Sequence, residues 1–156
     1  MSSSRDTKAV KLNRNNTNFP LQLFEFFKKS QWGTEYDFLK YYQNIVRIYV
    51  NSVDIDARGL VVMHQMGLGK SILAVSIAMD QMSTRQPIIL LTKSLQENMR
   101  GSIYKYIGLR KAVEPTYYLG QLPPGDLDAW IERNFSFVSM NASNMLKQMG
   151  KAVEGV

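Results

Sequence analysis

Gly67, Gly69, Lys70 and Ser71 form the chain's strongest cluster of chemistry-bearing residues, within the string Met-Gly-Leu-Gly-Lys-Ser at 66–71. Glycines let a backbone curl until successive N–H groups face one anion, and a helix starting at that point adds the positive end of its dipole. A following lysine reaches the outer phosphates of a nucleotide, and a following hydroxyl ligates Mg²⁺. The pattern G-x-x-x-x-G-K-[ST] would place its first glycine at position 64, where this chain carries His64. A bare Gly-x-Gly-Lys string occurs by chance; an apolar run before it and an amphipathic stretch after it supply the structural context. The competing reading, a glycine-rich turn with a solvated lysine, explains the glycines and leaves Lys70 and Ser71 without a role.

These residues need a strand and a helix to hold them. Residues 60–63 are expected to form the strand, and the helix is expected to end near Met82, with Leu73, Ala74, Ile77 and Ala78 on one face. Earlier in the chain, residues 1–18 are polar and basic and are expected to form a disordered arm. A short helix is expected over residues 21–27. A longer one should run from a Thr34 cap to about Asn51, with Phe38, Tyr42, Ile45 and Tyr49 facing inward. Gln43 on that helix is either an exposed helical glutamine or a side chain whose amide reads an adenine edge. Asp54 and Asp56 lack an apolar strand leading into them and are not read as metal ligands.

After the loop, Pro87 opens an apolar run through Thr92 that reads as a buried parallel strand. Ser94 to Glu97 then reads as a capping box, with Leu95, Met99, Ile103 and Ile107 on one helix face and Gly108 as its stop. Two strand-then-helix units imply a parallel sheet with helices against it. Thr92, Lys93 and Ser94 fall at the carboxyl end of a strand, a place where a backbone phosphate can sit. The local alternative is a capped helix start with one solvated lysine. Residues 109–125 are expected to be largely loop, with a possible strand over 117–119. Asp126 is expected to cap a helix through Arg133, residues 135–140 to form a third core strand, and residues 141–149 a helix.

The 156 residues suit one domain with a core, and 45% apolar with 21% charged residues is ordinary for a soluble protein. The absence of cysteine excludes disulfide and thiolate chemistry and fits a reducing compartment. Neither a membrane span nor a signal-peptide core is visible, so a cytoplasmic, non-secreted protein is expected. A net charge of +6 favours a polyanionic partner, although several of the extra cations lie in the first fourteen residues.

The string at 66–71, with the wider phrases Val-Met-His-Gln at 62–65 and Ile-Leu-Leu-Thr-Lys-Ser at 89–94, resembles the first motor domain of superfamily 2 helicases and translocases. Within that group it is similar to the Swi/Snf-like helicase-type transcription factors of poxviruses and giant viruses. The likeness covers about residues 35–145, and only the phosphate loop is specific. It implies an α/β fold: part of a RecA-like P-loop domain, a parallel sheet flanked by helices, preceded by N-terminal helices and cut before its acidic strand. It further implies ATP and Mg²⁺ as ligands, held by Gln43, Gln65, Met66, Gly67, Leu68, Gly69, Lys70, Ser71 and Ile72. Lys70 would be the catalytic cation, Ser71 the Mg²⁺ ligand, and Thr92, Lys93 and Ser94 the contact with nucleic acid, DNA before RNA. The expected partners are the remainder of the motor or a transcription complex, and the expected location is the virion or viral factory.

No segment matches the family's apolar strand ending in Asp-Glu, whose carboxylates hold Mg²⁺ and orient the attacking water. The implied role is therefore nucleotide binding with little turnover by this chain alone. Two other readings stand beside it. A small P-loop phosphotransferase fits the length, but neither an arginine-rich lid nor an acceptor-binding Asp is evident. A non-catalytic interaction module that keeps the sheet is the third.

Overall fold

A computed structural model describes residues 16–18, 21, 22, 25, 38–52, 59–115 and 126–154. The chain divides into two compact units, Met1–Gln65 and Met66–Val156. Thr34, Asp54, Asp56, most of the basic arm and the expected strand over 117–119 lie outside the described residues.

In the first unit, α1 spans Tyr41–Ser52. Its start is fixed by Gln43, whose Oε1 accepts a 2.8 Å bond from the Lys40 backbone N–H. This is the reaching-back half of a capping box, and it satisfies a donor that a helix start leaves open. Leu39, Gln43 and Asn44 are the buried residues here, while Phe38, Tyr42, Ile45 and Tyr49 are half-buried. The expected inward stripe is therefore shifted, because Phe38 precedes the helix and does not extend its face.

Residues 59–65 have no regular secondary structure. Val61 and Met63 are 85% and 90% exposed, so the expected buried strand before the phosphate loop is not formed. An extended segment becomes a strand only by pairing its backbone with a neighbour. Among the described residues the only sheet pairs two other segments.

The second unit is a small α/β assembly. Helix α2 (Lys70–Gln81) is followed by β1 (Ile88–Leu91) and the long α3 (Lys93–Val113). Then come α4 (Leu127–Asn134), β2 (Ser136–Ser139) and α5 (Met145–Glu154). The strands β1 and β2 are parallel, with Ile88 opposite Ser136 and Leu91 opposite Ser139. Backbone bonds from Ser136 N to Pro87 O and from Met140 N to Leu91 O, both 3.0 Å, extend the ladder at each end. Parallel neighbours need a long crossover, which α3, the following segment and α4 provide. The α/β class and parallel pairing match the expectation, on a sheet of two strands.

The core is centred on Val75 from α2, Ile103, Tyr106 and Ile107 from α3, Ile131 from α4, and Phe135 and Val138, none more than 2% exposed. On α2 the buried set is Leu73, Val75 and Ser76, and Ala74 faces outward. The Ser76 hydroxyl donates to the Leu73 carbonyl at 2.7 Å, which permits a polar residue inside. Asp126 caps α4 as expected, its Oδ1 accepting from Ala129 N at 3.1 Å. By contrast, α3 begins at Lys93 with Thr92 as N-cap and runs past Gly108 to Val113. Buried Ile103, Tyr106 and Ile107 hold it, and packing of that kind outweighs the small helix cost of one glycine. Helix α5 starts at Met145, later than residue 141, and lies against β2. Its Gln148 Oε1 accepts from Ser139 N at 3.0 Å.

Candidate phosphate-binding loop

Gly67 and Gly69 both adopt left-handed backbone angles, with φ of 81° and 72°, and no other described residue does. Side chains with a Cβ avoid that region, so the sequence places its glycines where the chain must curl. Gly69 is also the N-cap of α2, with φ 72° and ψ 35°, and no side chain caps the helix. Its carbonyl accepts the first helical bond, from Leu73 N at 3.1 Å. The result is a tight reversal over 66–69 that delivers Lys70 and Ser71 as the first two residues of a helix. Left-handed glycines leading into a helix start form the concave backbone that binds anions.

The candidate residues of this loop are accessible. Gln65, Met66, Gly67, Leu68, Lys70 and Ser71 are exposed, while Gly69 and Ile72 are half-buried. Residues 66–72 form one continuous structure in the second unit, whereas Gln65 closes the first. The Ser71 hydroxyl lies on the surface beside the turn, which suits a water-rich Mg²⁺ held mainly by phosphate oxygens. Among the described residues no group of three His, Cys, Asp or Glu side chains is placed to hold a metal on its own.

His64, which stands where the pattern has its first glycine, is half-buried and packs edge-on against Tyr42, with ring centroids 5.2 Å apart and an interplanar angle of 89°. Gln43 belongs to the first unit and is only 4% exposed, which excludes the reading of it as an exposed helical glutamine. Its carbonyl oxygen is occupied by the Lys40 N–H.

Thr92, Lys93 and Ser94 stand at the carboxyl end of β1. Thr92 has φ −63° and ψ 150° and makes no side-chain cap bond. Its Oγ1 lies 3.2 Å from Ser94 Oγ, and its carbonyl accepts from Leu95 N at 2.9 Å. The capping box expected from Ser94 is absent because the helix begins one residue earlier. Sequence reasoning misses that the turn after β2 begins beside this corner, through the Met140 N to Leu91 O bond. Only the parallel register reveals it.

No protein-family model matches the chain, and no solved structure matches it significantly. Curated relatives do. A protein from a Kenyan pig isolate of African swine fever virus, named termination factor NPH-I homolog, is 32% identical over 160 residues, covering 88% of this chain and 21% of the relative. Proteins of the same name from a South African tick isolate and a Namibian warthog isolate are each 34% identical over 158 residues, with the same coverage. The resemblance to viral transcription factors is thus borne out, with relatives named for termination. No helix among the described residues is long and apolar enough to cross a membrane. The chain is homologous, over 88% of its residues, to the termination factor NPH-I homologs of African swine fever virus, and it spans about a fifth of their length.

Proposed function

We propose that the chain carries the nucleotide-phosphate-binding loop of an ATP-driven, helicase-like motor that acts on nucleic acid during viral transcription termination. The observation that carries the reading is the pair of left-handed glycines around Leu68, leading directly into Lys70 and Ser71 at a helix start that no side chain caps. In this reading the backbone N–H groups at the loop and helix start surround the phosphates. Lys70 neutralises the outer phosphate charge, and Ser71 ligates Mg²⁺. The two-stranded parallel sheet is taken as part of a RecA-like domain, with Thr92, Lys93 and Ser94 against the nucleic-acid backbone.

A motor of this kind also needs a carboxylate that orients the attacking water and a cation supplied to the far side of the phosphate. No segment of the sequence matches the apolar strand ending in Asp-Glu that carries this carboxylate in such motors, so the chain is proposed to bind ATP without appreciable turnover. Calorimetric titration with ATP, with and without Mg²⁺, tests this. Saturable binding strengthened by Mg²⁺ is expected. Its absence would refute the reading and favour a non-catalytic module, and rapid multiple turnover would refute the division of labour.

A further inference from the structure

A cleft of about 120 Å³ opens at the amino-terminal edge of the sheet, lined by Met82, Arg85, Gln86, Arg133 and Asn134. Gln86 and Asn134 stand just before β1 and β2 respectively, so the cleft is on the sheet edge opposite Thr92 and Lys93. It is also at the far end of α2 from the phosphate loop. That helix has 12 residues, and at about 1.5 Å per residue it separates its two ends by about 18 Å.

The walls of this cleft are tied in place. Gln86 Nε2 donates to the Arg133 carbonyl at 3.4 Å and lies 3.3 Å from Ser136 Oγ, while Asn134 Nδ2 donates to the Trp130 carbonyl at 2.7 Å. Arg133 is tethered through Nε to the Ala129 carbonyl at 3.4 Å. No carboxylate lines the cleft, and among the described residues neither Arg85 nor Arg133 forms an ion pair. Arg85 and Arg133 line one small space and are both solvent-exposed, so an anion entering it would meet two cations and no competing acid. The ends of α2 and α4 oppose an anion, but each contributes only about half a charge against two full ones.

We propose that this cleft is a second anion site, one that binds a phosphate group, either a phosphodiester of a nucleic-acid strand or free phosphate. It is independent of the nucleotide reading, because no residue of the phosphate loop takes part. The simpler description makes Arg133 a helix-end cation and Arg85 a solvated side chain, and predicts no ligand.

The test is a ¹⁵N spectrum of the full chain titrated with inorganic phosphate and, separately, with a short single-stranded oligothymidylate. Saturable shifts of the Gln86 and Asn134 side-chain amides are expected, retained in Lys70→Ala and abolished when Arg85→Gln and Arg133→Gln are combined. If the oligonucleotide produces the shifts, the combined variant should also flatten the log–log salt dependence of its binding by about 0.7 for each phosphate no longer neutralised. If only inorganic phosphate does, the ligand is the free anion. If the combined variant melts early, each single arginine variant is read instead and should weaken the shifts. Silence with both ligands, or shifts that survive removal of both arginines, overturns the proposal.

Discussion

Helices α2 and α3 both begin without a side-chain cap, and both place a lysine in their first turn. Their N-cap residues differ in one respect that decides their chemistry. Gly69 sits in the left-handed region after a second left-handed glycine, whereas Thr92 continues the extended backbone of β1. The helix dipole is common to both, so it cannot be what distinguishes them. Only α2 is preceded by two left-handed glycines, the backbone form on which the proposed phosphate site rests. The start of α3 offers a flat approach with one cation and two hydroxyls, suited to a strand's phosphate touched from one side.

Substitutions at the two helix starts put that contrast at risk. The largest effect is expected from Lys70→Ala, which should weaken ATP binding about 10- to 100-fold, roughly 1.4–2.7 kcal/mol, and leave the melting temperature unchanged. If nucleotide affinity instead follows Lys93→Ala, the two helix starts have been assigned the wrong way round. Next is Gly67→Ala. Nothing lies within 4 Å of the added Cβ, yet the φ of 81° should cost about 1–2 kcal/mol in denaturant unfolding. Gly101→Ala, in an equally open position inside α3, should gain about 0.5–1 kcal/mol. Equal effects at the two sites would mean that the left-handed turn is not maintained in solution.

A smaller difference should separate the caps. Asp126→Ala removes a real cap bond and should cost about 1 kcal/mol, while Thr92→Ala removes none and should change stability by less than about 0.5 kcal/mol. The smallest effect is expected from Lys93→Ala. It should leave ATP binding intact and lower the salt slope of single-strand binding by about 0.7, the share of one neutralised phosphate.

The curl at residues 66–69 is legible in the sequence because it is decided locally: glycine is the residue that tolerates the angles found at 67 and 69. Asp126 is legible for the same reason, since a cap is decided within one turn. A parallel sheet is legible from strand-then-helix order, but the pairing of residues 88–91 with 136–139, across a crossover that contains α3 and α4, is not. What fails depends on partners far along the chain. Residues 60–63 have strand-forming side chains, but a strand exists only with a neighbour, and none is found among the described residues. Gly108 carries a stop signal that buried Tyr106 and Ile107 override. Gln43 braces the start of a helix that begins at Tyr41, and an expected start at Thr34 hides that role by placing Gln43 mid-helix.

The bond from Ser139 to Gln148 has a consequence for how the two-stranded sheet grows. Alternate amides along β2 point at β1, as those of Ser136 and Met140 do, so the Ser139 amide points to the other margin. A side chain from α5 already occupies that donor, which blunts one border of the ribbon much as an inward-turned polar group discourages unwanted pairing. The opposite border, along β1, pairs with no further strand among the described residues. Recruitment of another extended segment, whether in correct assembly or in aggregation, is thereby directed to the β1 side.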